Sequence, residues 1–141
     1  MTISLKERFE MIWRGEAPQP PVAKLIGFNI ASIEPGEAVI AFEATKRHAN
    51  PGGILHGGIL CDIADAAMAT AYSTTLERDE AFTTLELKIN FLKVIQEGKL
   101  RAIGRVLSAG KKIGLLECEI LNNNDELVAK ASSTCLVSKQ V

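Results

Sequence analysis

The sequence predicts an α+β domain, an antiparallel sheet of about six strands wrapped around one long central helix, with a short helix at the N-terminus. Three observations carry that expectation. Residues 57–72, GGILCDIADAAMATAY, are nearly all small or apolar, as a helix buried on most sides must be. In residues 84–91, Leu85, Leu87, Ile89 and Phe91 alternate with Thr84, Glu86, Lys88 and Asn90, the period of a half-buried strand. Turn sequences divide the rest into short apolar segments, and such short connections make successive strands antiparallel neighbours.

The elements follow in order. Residues 4–13 read as an amphipathic helix with Ser4 as N-cap and Glu7 completing a capping box; Leu5, Phe9 and Ile12 are its apolar stripe. The proline-rich run 18–21 ends it and acts as a connector. Segments 28–33 and 38–42 flank the turn Glu34-Pro35-Gly36-Glu37 and form a hairpin. A loop over 45–55, centred on Asn50-Pro51-Gly52-Gly53, leads into the apolar helix, which runs to about Thr75. After strand 84–91 come Leu100, Ala102, Gly104 and Val106, then strands at 113–121 and 127–137. The turn containing Ser108, Gly110, Lys111 and Lys112 and the turn Asn122–Asp125 separate them.

Length and composition narrow the function classes. The 141 residues fit a single domain, 1–141, and 47% hydrophobic residues suffice for a core. Sixteen basic against 17 acidic residues argue against nucleic-acid binding driven by overall charge, and 5% aromatics argue against base-stacking platforms. Cys61, Cys118 and Cys135 are odd in number, far apart and outside any CxxC pair, so neither a disulfide framework nor a structural zinc site is expected. Core packing is their default role. The first fifteen residues mix charges into their apolar positions, unlike a signal peptide. The apolar run 57–72 is shorter than the ~20 residues a bilayer needs, and it holds Asp62 and Asp65. A soluble, cytoplasmic protein is the expectation.

The chemistry concentrates in Asn50-Pro-Gly-Gly-Ile-Leu-His56-Gly57-Gly58 and Asp65. Gly57 and Gly58 sit where loop becomes helix, where backbone N–H groups lack intrahelical partners and carry partial positive charge. With no side chain at Gly57, a carbonyl can approach its N–H closely, and such a donor stabilises an oxyanion. Asp65, among Ile63, Ala64, Ala66 and Met68, is costly unless it faces a partner or a cavity. Asp62 lies three residues earlier, where a carboxylate capping the helix start or facing solvent is the plainer reading. Gly57 and Asp65 are eight residues apart, about 12 Å along one helix at ~1.5 Å per residue. One carbonyl cannot contact both. If both act on one substrate they come from different subunits, and a two-fold dimer with antiparallel central helices supplies two identical composite sites.

On these residues the chain resembles hotdog-fold thioesterases of the PaaI-like, phenylacetate-pathway type. The pattern is Asn50, then His56-Gly57-Gly58, then an acid nine residues after the histidine. The resemblance extends from about Gly27 to Val137, including the hairpin turn and the strand around Thr84. It implies hydrolysis of acyl-coenzyme A thioesters without a metal or a separate cofactor, coenzyme A being part of the substrate. By the same resemblance, the Gly57 N–H polarises the thioester carbonyl, and Asn50 and His56 help hold it and order the loop. Asp65 of the facing subunit activates water or attacks directly, and Thr84 helps orient the water. Ser108, Gly110, Lys111 and Lys112, with Lys93, are the corresponding candidates for the coenzyme A phosphates, although charged residues at a turn are commonly solvated decoration. Some members carry Thr one turn after the acid; here that position is Ala69, with Thr70 beside it.

Two other readings compete. An acyl-thioester dehydratase would use His56 with Asp65, but the spacing from HGG to the acid favours the hydrolase. A non-catalytic acyl-CoA-binding module would be expected to carry a regulatory segment, for which 141 residues leave little room. A homodimer, assembled further into a tetramer, is expected. Met68, Tyr72 and Phe82 are candidates for the acyl pocket, and His48, with no partner spacing, is placed at the surface.

Overall fold

The computed structural model describes residues 2–141. Helix α1 spans Leu5–Trp13 and α2 Pro21–Ile26; β1 (Phe28–Glu34) and β2 (Glu37–Ala44) follow, and a 3-10 turn, Lys46–His48, leads toward α3, Gly57–Ser73. Strands β3 (Glu80–Phe91), β4 (Gly98–Ala109), β5 (Ile113–Asn122) and β6 (Leu127–Lys139) complete one six-stranded antiparallel sheet.

Local chemistry explains the boundaries. Ser4 Oγ accepts from the Glu7 N–H at 3.1 Å and Glu7 Oε2 accepts from the Ser4 N–H at 2.7 Å, the expected capping box. The prolines do not end α1, which stops at Trp13 with Gly15 at φ +76° just beyond its cap Arg14. Pro21 opens α2, where its fixed φ suits a first helical residue and its missing N–H costs nothing. Gly27, at φ +96°, ends that helix in a conformation that favours glycine. At the C-terminus of α3, Thr74 Oγ1 donates to Ala71 O and accepts from the Gly36 N–H, tying the β1–β2 turn to the helix.

The inner face of the sheet holds Ile40, Phe42, Ala102, Leu116, Cys118 and Ile120, packed on Leu60, Ile63, Ala67 and Met68 of α3. Small residues let the layers approach. A Cβ at Gly104 would lie 2.5 Å from the backbone of Ala67, so no side-chain adjustment relieves it. Gly104→Ala should therefore destabilise the fold by at least about 1–3 kcal/mol, read as a lowered denaturant midpoint at unchanged slope. Met68 and Tyr72 are fully buried in this core, so they do not line an acyl pocket as expected; Phe82 packs edge-on against Tyr72.

Strand order departs from the neighbour rule. It runs β1-β2-β4-β5-β6-β3, so β3 lies at an edge beside β6, and β4 returns to pair with β2. Crossing of α3 over the concave face carries the chain from β2 to the far side, and the link 92–97 brings it back. Leu55 N–H donates to Ile95 O on that link, at 2.7 Å. The alternation in β3 also breaks: a bulge between Thr84 and Glu86 turns Leu85 outward. The extra residue lets Thr84 and Leu87 both face inward although they are three apart. No helix among the described residues is long and apolar enough to cross a membrane.

Candidate active site

The loop before α3 is held by its own polar groups. Asn50 Oδ1 accepts from the N–H of Gly52 at 2.9 Å and of Ile54 at 3.3 Å. His56 N–H donates to His48 O at 2.9 Å. His48 is half-buried, not a free surface residue: Nε2 donates to Ile26 O at 2.8 Å and Nδ1 accepts from the Thr45 N–H at 3.0 Å. It pins α2 to the loop.

His56 is the N-cap of α3. Its Nδ1 accepts from the Gly58 N–H at 3.0 Å, which leaves the proton of the neutral ring on exposed Nε2. Its carbonyl accepts from Ile59 N–H. The Gly57 N–H, between these bonds, finds no acceptor among the described residues, and the same holds for Asn50 Nδ2. Both residues line one cleft of about 360 Å³, together with Leu60, Phe91, Lys93 and Ile95. A Cβ at Gly57 would lie 2.8 Å from Phe91 Cζ, so the half-exposed Phe91 ring packs against Gly57 as closely as only glycine permits.

Asp65 lies two turns further along α3, on the stripe Cys61–Asp62–Asp65–Ala66–Ala69 that the sheet leaves uncovered. Thr84 Oγ1 donates to Asp65 Oδ1 at 3.3 Å, with Cys135 Sγ 3.7 Å from the same hydroxyl. Burial pushes the Asp65 carboxyl above the usual carboxylate range, and the Thr84 hydrogen bond opposes that rise. Exposed Asp62 is also raised, by burial and then by the charge of Asp65. Thr70 is buried and spends its hydroxyl on Ala66 O at 2.7 Å, leaving Ala69 alone on the uncovered face one turn after the acid.

Gly57 and Asp65 share no cleft: the Gly57 cleft excludes Asp65, and the two clefts that Asp65 lines exclude Gly57. The expected phosphate-binding residues divide likewise. Lys93 lines the Gly57 cleft and pairs with Glu126 at 3.1 Å. Ser108, Gly110, Lys111 and Lys112 are exposed at the other end of the sheet, close to Gly114, which aligns through Cys135 with Thr84. Phe91 aligns instead with Ala129 and Ile120, six residues or ~20 Å along the strand. One chain thus presents two separated sets: Asn50, His56, Gly57 and Lys93, and Asp65, Thr84 and the Lys111–Lys112 turn.

Residues 52–129 match the thioesterase superfamily, more than half of the chain. The chain belongs to the thioesterase superfamily. Its PaaI-like character rests on individual relatives. It is 31% identical to the 1,4-dihydroxy-2-naphthoyl-CoA hydrolase of Listeria monocytogenes over 82% of this chain and 94% of that protein. It is 32% identical to the acyl-coenzyme A thioesterase PaaI of Escherichia coli over 76% of this chain and 75% of that one. The solved PaaI structure from E. coli superposes with a TM-score of 0.84 at 27% identity, covering 98% of this chain and 99% of that chain. The wrapped-helix architecture is therefore the hotdog fold, and the protein is an enzyme of thioester hydrolysis.

Sequence reasoning missed two features beside these residues. Phe91 was read only as an inward strand residue, though it covers Gly57. The apolar stripe of α1 was visible, but not that Phe9 and Ile12 face a cleft containing Asp65.

Proposed function

We propose that this thioesterase hydrolyses acyl-CoA to the free acid and coenzyme A, in composite sites between two copies of the chain. The carrying observation is the separation of an unpaired donor, Gly57 N–H, from a half-buried carboxylate, Asp65, on one helix. Strand β3 supports the pairing. It is a twelve-residue edge, bonded on one side only and bearing exposed Leu85 and Phe91. Such an edge is a template for a second strand. Two β3 strands side by side, with antiparallel α3 helices behind them, bring Gly57 of one copy toward Asp65 of the other. Ile113, Leu115 and Leu136, exposed together on the outer face of β5 and β6, supply a second surface for a dimer of dimers. Free cysteines suit the reducing cytoplasm.

In this reading Asp65, ionised, takes a proton from water as the water attacks the thioester carbonyl. Thr84 holds Oδ1, which leaves Oδ2 for the water. The tetrahedral oxyanion accepts from Gly57 N–H, with Asn50 Nδ2 in the same cleft, while His56 orders the helix start as the N-cap of α3. Collapse expels the coenzyme A thiolate, which recovers the proton from Asp65. The Lys111–Lys112 turn accompanies Asp65, and Lys93 of the facing subunit accompanies Gly57, so the nucleotide phosphates meet cations from either side.

Release of free thiol from acyl-CoA by the purified protein tests the reading; no release from any acyl-CoA would refute it. Thr84→Val tests the base. It removes the one contact that lowers the Asp65 pKa, so the acid limb of the kcat–pH profile should move to higher pH. An unmoved limb would mean that Thr84 does not act through Asp65.

A further inference from the structure

A second cleft, of about 240 Å³, opens beside Asp65 on the side of the N-terminal helices. Its floor is Ala66 and Ala69 of α3, and its far wall is Phe9 and Ile12 of α1 with Val22 of α2. No residue of α1 is fully buried, and Phe9 and Ile12 of its apolar stripe line this cleft. The wall is pinned at several points. Trp13 Nε1 donates to Ala31 O at 3.1 Å, and Arg78 pairs with Glu7 at 3.1 Å. Two prolines stiffen the approach to α2, and His48 holds its C-terminus through Ile26 O. The only charged side chains on the lining are Asp62 and Asp65.

We infer that the α1–α2 segment is the wall of the acyl subsite and sets the length and charge of the acyl group accepted. The inference rests on the proposed hydrolysis. Of the two clefts that Asp65 lines, this is the more apolar, the other carrying Thr84 and Glu86 on its wall. The volume lies below the ~300–1,000 Å³ of drug-sized ligand sites, so the occupant is compact, a single ring or a straight chain of similar bulk. Two carboxylates on the lining disfavour an acyl group that ends in a third. Asp62, outside the proposed chemistry, acquires a role: it excludes dicarboxylic acyl groups.

The test is kcat/KM on butyryl-, octanoyl-, benzoyl-, palmitoyl- and succinyl-CoA. Ile12→Trp should fill the cleft and lower the octanoyl-to-butyryl ratio about tenfold, and Phe9→Ala should raise the palmitoyl-to-octanoyl ratio about as much. Benzoyl against octanoyl tells a ring from a chain as the natural occupant. Wild type should prefer butyryl- to succinyl-CoA, and Asp62→Asn should narrow that gap. Leu25→Ala, on the outer side of α2 at 76% exposure, should leave every ratio in place and controls for general disturbance of the helix. Because α1 contributes no fully buried residue, its variants should fold; were Phe9→Ala not to, Ile12→Trp alone decides. Ratios unmoved by Ile12→Trp in an active enzyme would overturn the inference and leave the hydrolysis standing. A wild type inactive on the whole panel would overturn both.

Discussion

Asp65→Asn should lower kcat on acyl-CoA by about 10²–10⁴-fold, leave KM nearly unchanged and raise the melting temperature. The rate falls because Asn keeps the shape and the Thr84 hydrogen bond but cannot take a proton from water. KM holds because acyl group and coenzyme A are bound by other residues. The stability change has the opposite sign to the rate change, and burial is the reason. Asp65 titrates above the usual carboxylate range in the fold, so the native protein holds that proton more tightly than the unfolded chain does. The stabilisation from protonated Asp65 is complete below the ordinary carboxylate pKa and is lost as pH rises through the raised value. At neutral pH wild type carries a half-buried charge, and Asn removes it. The melting difference should shrink as pH falls toward the carboxylate range. A variant with undiminished kcat would remove Asp65 from the chemistry. One that melts lower would show that the carboxylate is held by partners strong enough to outweigh its burial.

What could be read without coordinates follows how local each signal is. The capping box at Ser4 and Glu7, the hairpin turn around Gly36 and the small-apolar run of α3 are decided by neighbours in sequence, and all appear as expected. The positions of Asn50, His56, Gly57 and Asp65 were legible for the same reason, since each is set by the loop before α3, by the start of that helix or by its face. Long-range choices were not. The place of β3 depends on α3 carrying the chain across the sheet, which no turn sequence records. The bulge at Leu85 breaks an alternation that looked regular, and only the Asp65 contact shows why Thr84 must face inward. The proline run reads as the stop of α1, yet α1 ends at Trp13 with Gly15 at φ +76° beyond its cap, and Pro21 instead starts α2. Met68 and Tyr72 are expected at the acyl pocket, yet helical phase turns them into the core while Ala66 and Ala69 face out.

Two individually inactive variants should restore activity when their subunits mix. Gly57→Pro is the cleaner partner for Asp65→Asn. Proline is favoured at a first helical position, and the Gly57 N–H has no acceptor among the described residues, so deleting it breaks no hydrogen bond there. His56, at φ −64° and ψ 128°, already has the extended backbone that a following proline requires. The ring would press on Phe91, whose half-exposed side chain has room to swing aside. Loss of a main-chain oxyanion donor should lower kcat by about 10²–10³-fold. In a heterodimer of the two variants, one composite site combines the defects and the other receives an intact Gly57 and an intact Asp65. Random reassociation makes about half of the dimers mixed, each with one sound site of two, so activity should return to about a quarter of wild type. If each site were complete within one chain, mixing would restore nothing, because every chain in the mixture lacks either its donor or its base. The eight-residue spacing from Gly57 to Asp65 thus becomes a measurable claim about how many chains it takes to hydrolyse one thioester.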